Sequence, residues 1–102
     1  MAKIDNGMVG MYVIVRCKDA GVHSGVLESY DKNRGCVLTE SRRLWYWKCI
    51  KGFSLDGVAN YGLHAESKIS SPTKKHLTEN CEIILCSRES ETSIRGQESR
   101  NE

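Results

Sequence analysis

The stretch "MVGMYVIVRCK", Met8 to Lys18, decides the fold. Met11, Val13 and Val15 alternate with Tyr12, Ile14 and Arg16. The run is β-branched and aromatic, as strands prefer. Both faces are largely apolar, which predicts a strand that is either central or at an interface. Asp19-Ala20-Gly21 then reads as a turn. "VHSGVLESY", Val22 to Tyr30, is a second strand, with Gly25 marking a bulge or a sharp bend. Asp31 to Gly35 is a polar hairpin loop, and Cys36 to Thr39 returns as a third strand. These three make a meander with short links.

Beyond it, after Glu40-Ser41, comes "RRLWYWK", Arg42 to Lys48, in which Leu44 to Trp47 has strand propensity. In an extended chain Trp45 and Trp47 share one face, and Leu44 and Tyr46 share the other. Arg42 and Arg43 must point to opposite faces, so one of them turns inward, meets a partner, or lies in a turn. Ser54 is a candidate N-cap for a short helix, "LDGVANYG", with Asp56 near its positive end and Gly62 placed to stop it. Ser67 to Leu77 holds Pro72 and reads as an edge strand or a long loop. "CEIILC", Cys81 to Cys86, is a short strand. Ser87 can cap a last helix through "RESETSI", ended by Gly96.

The expected fold class is mainly β: a small SH3-like or barrel-like bent antiparallel sheet with one or two short helices. Residues 1–7 read as an N-terminal arm, 8–95 as a single small β-domain, and 96–102 as a solvated tail. The 102 residues suit one domain, and 39% apolar with 27% charged residues suits a globular one. No apolar run reaches the roughly 18 residues of a membrane span, and no apolar leader follows Met1, so no membrane partner and a cytoplasmic location are expected. The five cysteines show no C-x-x-C pair and read as reduced, small apolar residues. No ligand spacing marks a metal or a cofactor, and no P-loop is present.

In order, "AGVHSGVLESYD" (20–31), "RRLWYWK" (42–48), "FSLDGVANYG" (53–62) and "LTENCEIILC" (77–86) resemble a family of small proteins of tailed bacteriophages and prophages. Its pattern runs A-G-V-H-x-G, then A-R-R-L/I-W-Y-W, then L-T-E-x-x-E-I-I, across residues 11 to 95. Ser41 departs from the family's alanine, and Lys48-Cys49 from its usual small residues. The resemblance implies a phage setting, in the cytoplasm of an infected host cell, and no activity comes with it.

Candidate binding residues are Arg42, Arg43, Trp45, Tyr46, Trp47, Lys48 and His23. Cations beside aromatic faces can grip a phosphate and stack a base; the same residues can equally form a barrel core. His23 sits between Gly21 and Gly25, where backbone can approach a ligand closely, or serves only to hold a turn. Lys74, Lys75 and His76 can meet phosphates or simply charge an edge strand. No nucleophile, base and orienter appear together, so no enzyme is predicted. The expected function is non-enzymatic binding of a small anionic nucleotide-like ligand by a homo-oligomer, a sponge for a host immune signal. The alternatives are an inhibitor of a host protein, or a small β-barrel that binds single-stranded nucleic acid, which the net charge of +2 favours less.

Overall fold

A computed structural model describes residues 7–31, 33–52, 54–79 and 82–99. Along these the order is β1 (Tyr12–Arg16), β2 (Val22–Asp31), β3 (Gly35–Tyr46), α1 (Leu55–Tyr61), β4 (Lys68–Ile69), β5 (Thr73–Leu77), β6 (Glu82–Leu85) and α2 (Arg88–Gly96). The described strands form one mainly antiparallel sheet in the order β4-β3-β2-β1-β6, with β5 also paired to β3. Of the two positions open to the first strand, the structure gives it the central one. Tyr12 and Ile14 enter a core with Val22, Leu44, Val58, Ile69 and Ile94. Val13, Val15 and Cys17 enter a second with Leu27, Cys36, Leu38 and Leu77. Helices roof the first core. The second is built from strands and the links beside them, so the sheet must bend over itself to bury it. Each fully buried Val or Ile contributes about 1.5–3 kcal/mol to that closure. β1 is shorter than the expected Met8–Lys18 because Gly10, at φ 90°, turns the chain just before it.

The bulge expected at Gly25 is present: pairing shifts register between Ser24 and Val26. Gly25 has φ 155°, and a Cβ there would lie 2.9 Å from the Thr39 carbonyl oxygen. The third strand, expected over Cys36 to Thr39, does not end there: β3 runs on through Glu40-Ser41 as one strand of 12 residues. Glu40 takes φ 51° as the odd residue of a second irregularity, where pairing with β5 slips between Leu38 and Ser41. A bulge re-aims side chains without ending a strand. Leu38 and Leu44, six apart, would otherwise share a face; instead they enter different cores.

The helix caps are where the sequence placed them. Ser54 Oγ accepts from Gly57 N–H, and Ser87 Oγ from Ser90 N–H. The Ser67–Leu77 segment supplies β4 and β5, both along the outer edge of β3. Of "CEIILC", Glu82–Leu85 form β6, and Cys81 lies outside the described residues. The solvated tail needs correction. Gln97 Nε2 donates to the Ala65 and Ser67 carbonyls, and Ser99 bridges to Ile69. Carbonyls beside a buried Ser67 need donors, and the Gln97 amide supplies them. Residues 1–6 of the arm and 100–102 of the tail lie outside the described residues. Among the described residues, no helix is long and apolar enough to cross a membrane.

Candidate functional site

Strand register gathers one group of polar side chains. His23 on β2 lies opposite Val15 on β1 and Arg43 on β3. Directly paired residues point to the same face, so His23 and Arg43 join Val15 on the side of the second core. Ser41, two residues before Arg43, shares that face. On β5, Leu77 belongs to the second core, so Lys75 faces the same way. Trp45 closes the group: the Arg43 guanidinium carbon stands 5.3 Å from its ring centroid. Three strands thus bring together His23, Ser41, Arg43, Trp45 and Lys75.

His23 is fully buried. Its Nε2 is 2.8 Å from the Ala20 carbonyl oxygen, and its Nδ1 is 3.1 Å from Lys75 Nζ. A carbonyl can only accept, so Nε2 carries the proton and Nδ1 offers its lone pair to Lys75. The Ala20 turn is fixed in its own right: the Glu79 carboxylate accepts from Asp19 N–H at 2.6 Å and Ala20 N–H at 3.0 Å. Those two bonds hold the Glu79 carboxyl below its usual range. Burial pushes the His23 imidazole down to about 4; the Lys75 and Arg43 charges add to this, and the Ala20 bond opposes it. Lys75 falls to about 8, through burial first and Arg43 second. Among the described residues, neither Arg43 nor Lys75 has a carboxylate within 4.0 Å. Ser41 is buried, and its hydroxyl has no hydrogen-bond partner among the described residues.

A pH prediction follows from His23. Its pKa is depressed on folding, so the unfolded chain binds more protons between the two values. This part of the stability is full above pH 6.5 and is lost as pH falls toward about 4. The loss should be on the order of 3 kcal/mol. Urea denaturation from pH 7 to pH 4 checks it, with His23→Gln alongside; equal slopes for both proteins would refute it.

The remaining expected residues go elsewhere. Arg42, 4% exposed, turns inward to the end of α2. Tyr46 is half exposed, and Trp47 lies past the end of β3, packed on the first core. Lys48 Nζ pairs with Glu66 at 3.4 Å. Trp45 and Trp47 do not share a strand face, nor do Leu44 and Tyr46. Pairing slips between Leu44 and Tyr46, and β3 then ends, so simple alternation lapses. Of the basic run, Lys75 alone joins the site: Lys74 pairs with Glu28 at 3.5 Å, and His76 Nε2 meets the Arg34 carbonyl. Ser41 was not a candidate, and nothing in its own sequence signals it.

Residues 10–94 match the family described as a domain of unknown function, DUF6948. The chain belongs to that family. Every residue of the cluster falls within the DUF6948 span, whereas Gln97 and Ser99 lie just past it. No curated protein and no solved structure matched the chain. Among the described residues of this DUF6948 chain, no three His, Cys, Asp or Glu side chains converge as metal ligands. Cys17, Cys36 and Cys49 are buried, and burial pushes the Cys36 and Cys86 thiols up to about 11. The Cys36 and Cys86 thiols are therefore poor nucleophiles at neutral pH.

Proposed function

We propose that the His23, Arg43, Trp45 and Lys75 face binds a small anionic, nucleotide-like ligand without turning it over. The observation that carries this is the meeting of Arg43 and Lys75 beside a neutral histidine, with no carboxylate within 4.0 Å of either among the described residues. The Arg43 charge repels the half-buried Lys75, and an anion bound between them would offset that cost. Arg43 offers a planar fork to a phosphate. Trp45, 49% exposed, leaves part of its ring open to a base. The resemblance to phage proteins supports a counter-defence sponge that sequesters a host immune signal in the infected cell's cytoplasm. A homo-oligomer fits the edge at β6. Met11 and Leu85 are exposed there on the same face as Val13, and β6 pairs only with β1 among the described strands.

Calorimetry with ADP-ribose and cyclic dinucleotides tests the reading, with native mass spectrometry to count subunits and retained ligand. A ligand held at 100 times its Kd should stabilise the fold by about 2.7 kcal/mol. Arg43→Met should weaken binding by about tenfold or more, as expected for a lost charged hydrogen bond, and leave the melting curve unchanged. Affinity should fall as pH rises through about 8, where Lys75 loses its charge. Absence of heat and of any thermal shift across the panel would end the proposal.

A protein-inhibitor reading draws on a different place. Ile50 and Tyr61, both exposed, line an open recess of about 690 Å³ with Arg88, Glu89, Thr92 and Ser93. Exposed aromatic and arginine side chains are common anchors at protein interfaces. Capture of one host protein, lost on Tyr61→Ala and kept on Arg43→Met, would favour it.

A further inference from the structure

The geometry points to Lys75 as a nucleophilic amine that forms a reversible imine with an anion bearing an aldehyde, with His23 as the acceptor that orients it. This rests on the anion-binding reading of the same face and names the chemical class of ligand. Three observations support it. Lys75 Nζ and His23 Nδ1 are 3.1 Å apart, so the imidazole lone pair accepts from the amine and fixes its position. The Ala20 carbonyl holds the far side of the imidazole at 2.8 Å, and Glu79 in turn fixes that turn. The amine is therefore held on an acceptor that is itself fixed from behind, which positions a side-chain nucleophile. Sequence alone could not assemble them, because residues 20, 23 and 75 meet only through β2-β3-β5 pairing. Third, Lys75 is half-buried on an edge strand beside the Arg43 cation, and both effects favour its neutral form. A lysine desolvated near another cation is a known route to an amine nucleophile.

The step balances without oxidant or reductant. The Lys75 lone pair attacks the aldehyde carbon, an N–C bond forms, and the carbonyl π pair moves to oxygen. Solvent carries a proton from the nitrogen to that oxygen, giving a carbinolamine. The nitrogen then expels the hydroxyl as water, again with a proton carried from nitrogen to oxygen by solvent. The products are an imine and one water. Arg43 meanwhile holds the anionic group, so the fitting class is a small phosphorylated or carboxylated aldehyde, such as an open-chain sugar phosphate.

The test uses the full chain and pyridoxal 5′-phosphate as probe, with borohydride reduction and peptide mapping. The chain carries eight lysines, and Lys74 is an adjacent internal control. Labelling at Lys75 should exceed that at Lys74 by at least about tenfold, the scale of advantage that a lowered pKa gives near neutral pH. Excess inorganic phosphate should suppress it, and Lys75→Arg should abolish it. Because the map is read on the unaltered protein, the result stands even if the variant folds poorly. Equal labelling of Lys74 and Lys75 overturns the inference; if Arg43-dependent nucleotide binding persists in that case, the binding reading survives alone. Selective Lys75 labelling that phosphate leaves unchanged overturns the anionic part of both.

Discussion

Alanine at position 35 should cost the folded state about 3–5 kcal/mol, read as a large drop in the urea midpoint. Gly35 opens β3 directly after the hairpin, at φ 87°, where a side chain is already strained by about 1–2 kcal/mol. The larger part is steric. A Cβ there would overlap the Leu77 carbonyl oxygen, with the Leu77 carbonyl carbon at 2.8 Å and that of Thr78 at 2.9 Å. All three atoms are backbone, so no rotamer change relieves the clash. The end of β5 would have to leave β3, loosening Leu77 from the second core. Lys75, two residues away on β5, would be drawn from His23 as well. Gly21→Ala is the matched control: φ is 90°, but a Cβ there meets nothing within 4 Å. It should cost only the backbone part, about 1–2 kcal/mol. Similar losses for the two variants would show that the β5 contact is not what makes Gly35 necessary.

The contrast between those glycines also shows what could be read from the sequence. Gly25 announced its bulge, because a glycine amid β-branched residues has few other uses. The caps at Ser54 and Ser87 were equally legible, since they depend on local backbone groups. Glu40 gave no such notice: a glutamate at φ 51° is a conformation that sequence rules do not anticipate. That one residue decides which side the side chains from Ser41 to Leu44 face, before pairing slips again ahead of Tyr46. The opposite facing of Arg42 and Arg43 could be derived, but not which one turned inward. Lys75 was visible as part of a basic run. Its separation from Lys74 and His76 required the pairing of Leu38 with Lys75 across β3 and β5. The candidate site was therefore half legible. His23, Arg43 and Trp45 stood out as residue types, but their convergence depended on long-range register.

Arg42→Met should destabilise the protein by about 3–5 kcal/mol, because it removes several charge-assisted hydrogen bonds worth about 1.5–3 kcal/mol each. Arg42 Nε donates to the Ser70 carbonyl at 2.7 Å. One terminal nitrogen donates to Ile94 O at 2.7 Å and to Arg95 O at 3.3 Å, and the other to Ser99 Oγ at 3.0 Å. Ile94 and Arg95 belong to the last turn of α2, whose carbonyls lack partners within the helix. The guanidinium thus caps α2, meets the negative end of its dipole, and ties Ser99 to the sheet. Methionine keeps much of the volume and removes every donor. Lysine should recover only part of the loss, because one ammonium cannot reproduce a fork that reaches three segments. Hydrogen exchange should report the damage locally, with faster exchange in residues 94–99 than in β1. Arg43→Met, one residue on, should leave stability unchanged, because its guanidinium lies over the half-exposed Trp45 ring and has no carboxylate partner among the described residues. If Arg43→Met proved the more destabilising of the two, Arg43 would be a structural residue and the anion site would lose its main cation. If both were neutral, the α2 end would be held by something other than Arg42. The expected split, stability from one arginine and binding from its neighbour, follows from the facing that the Glu40 irregularity imposes on β3.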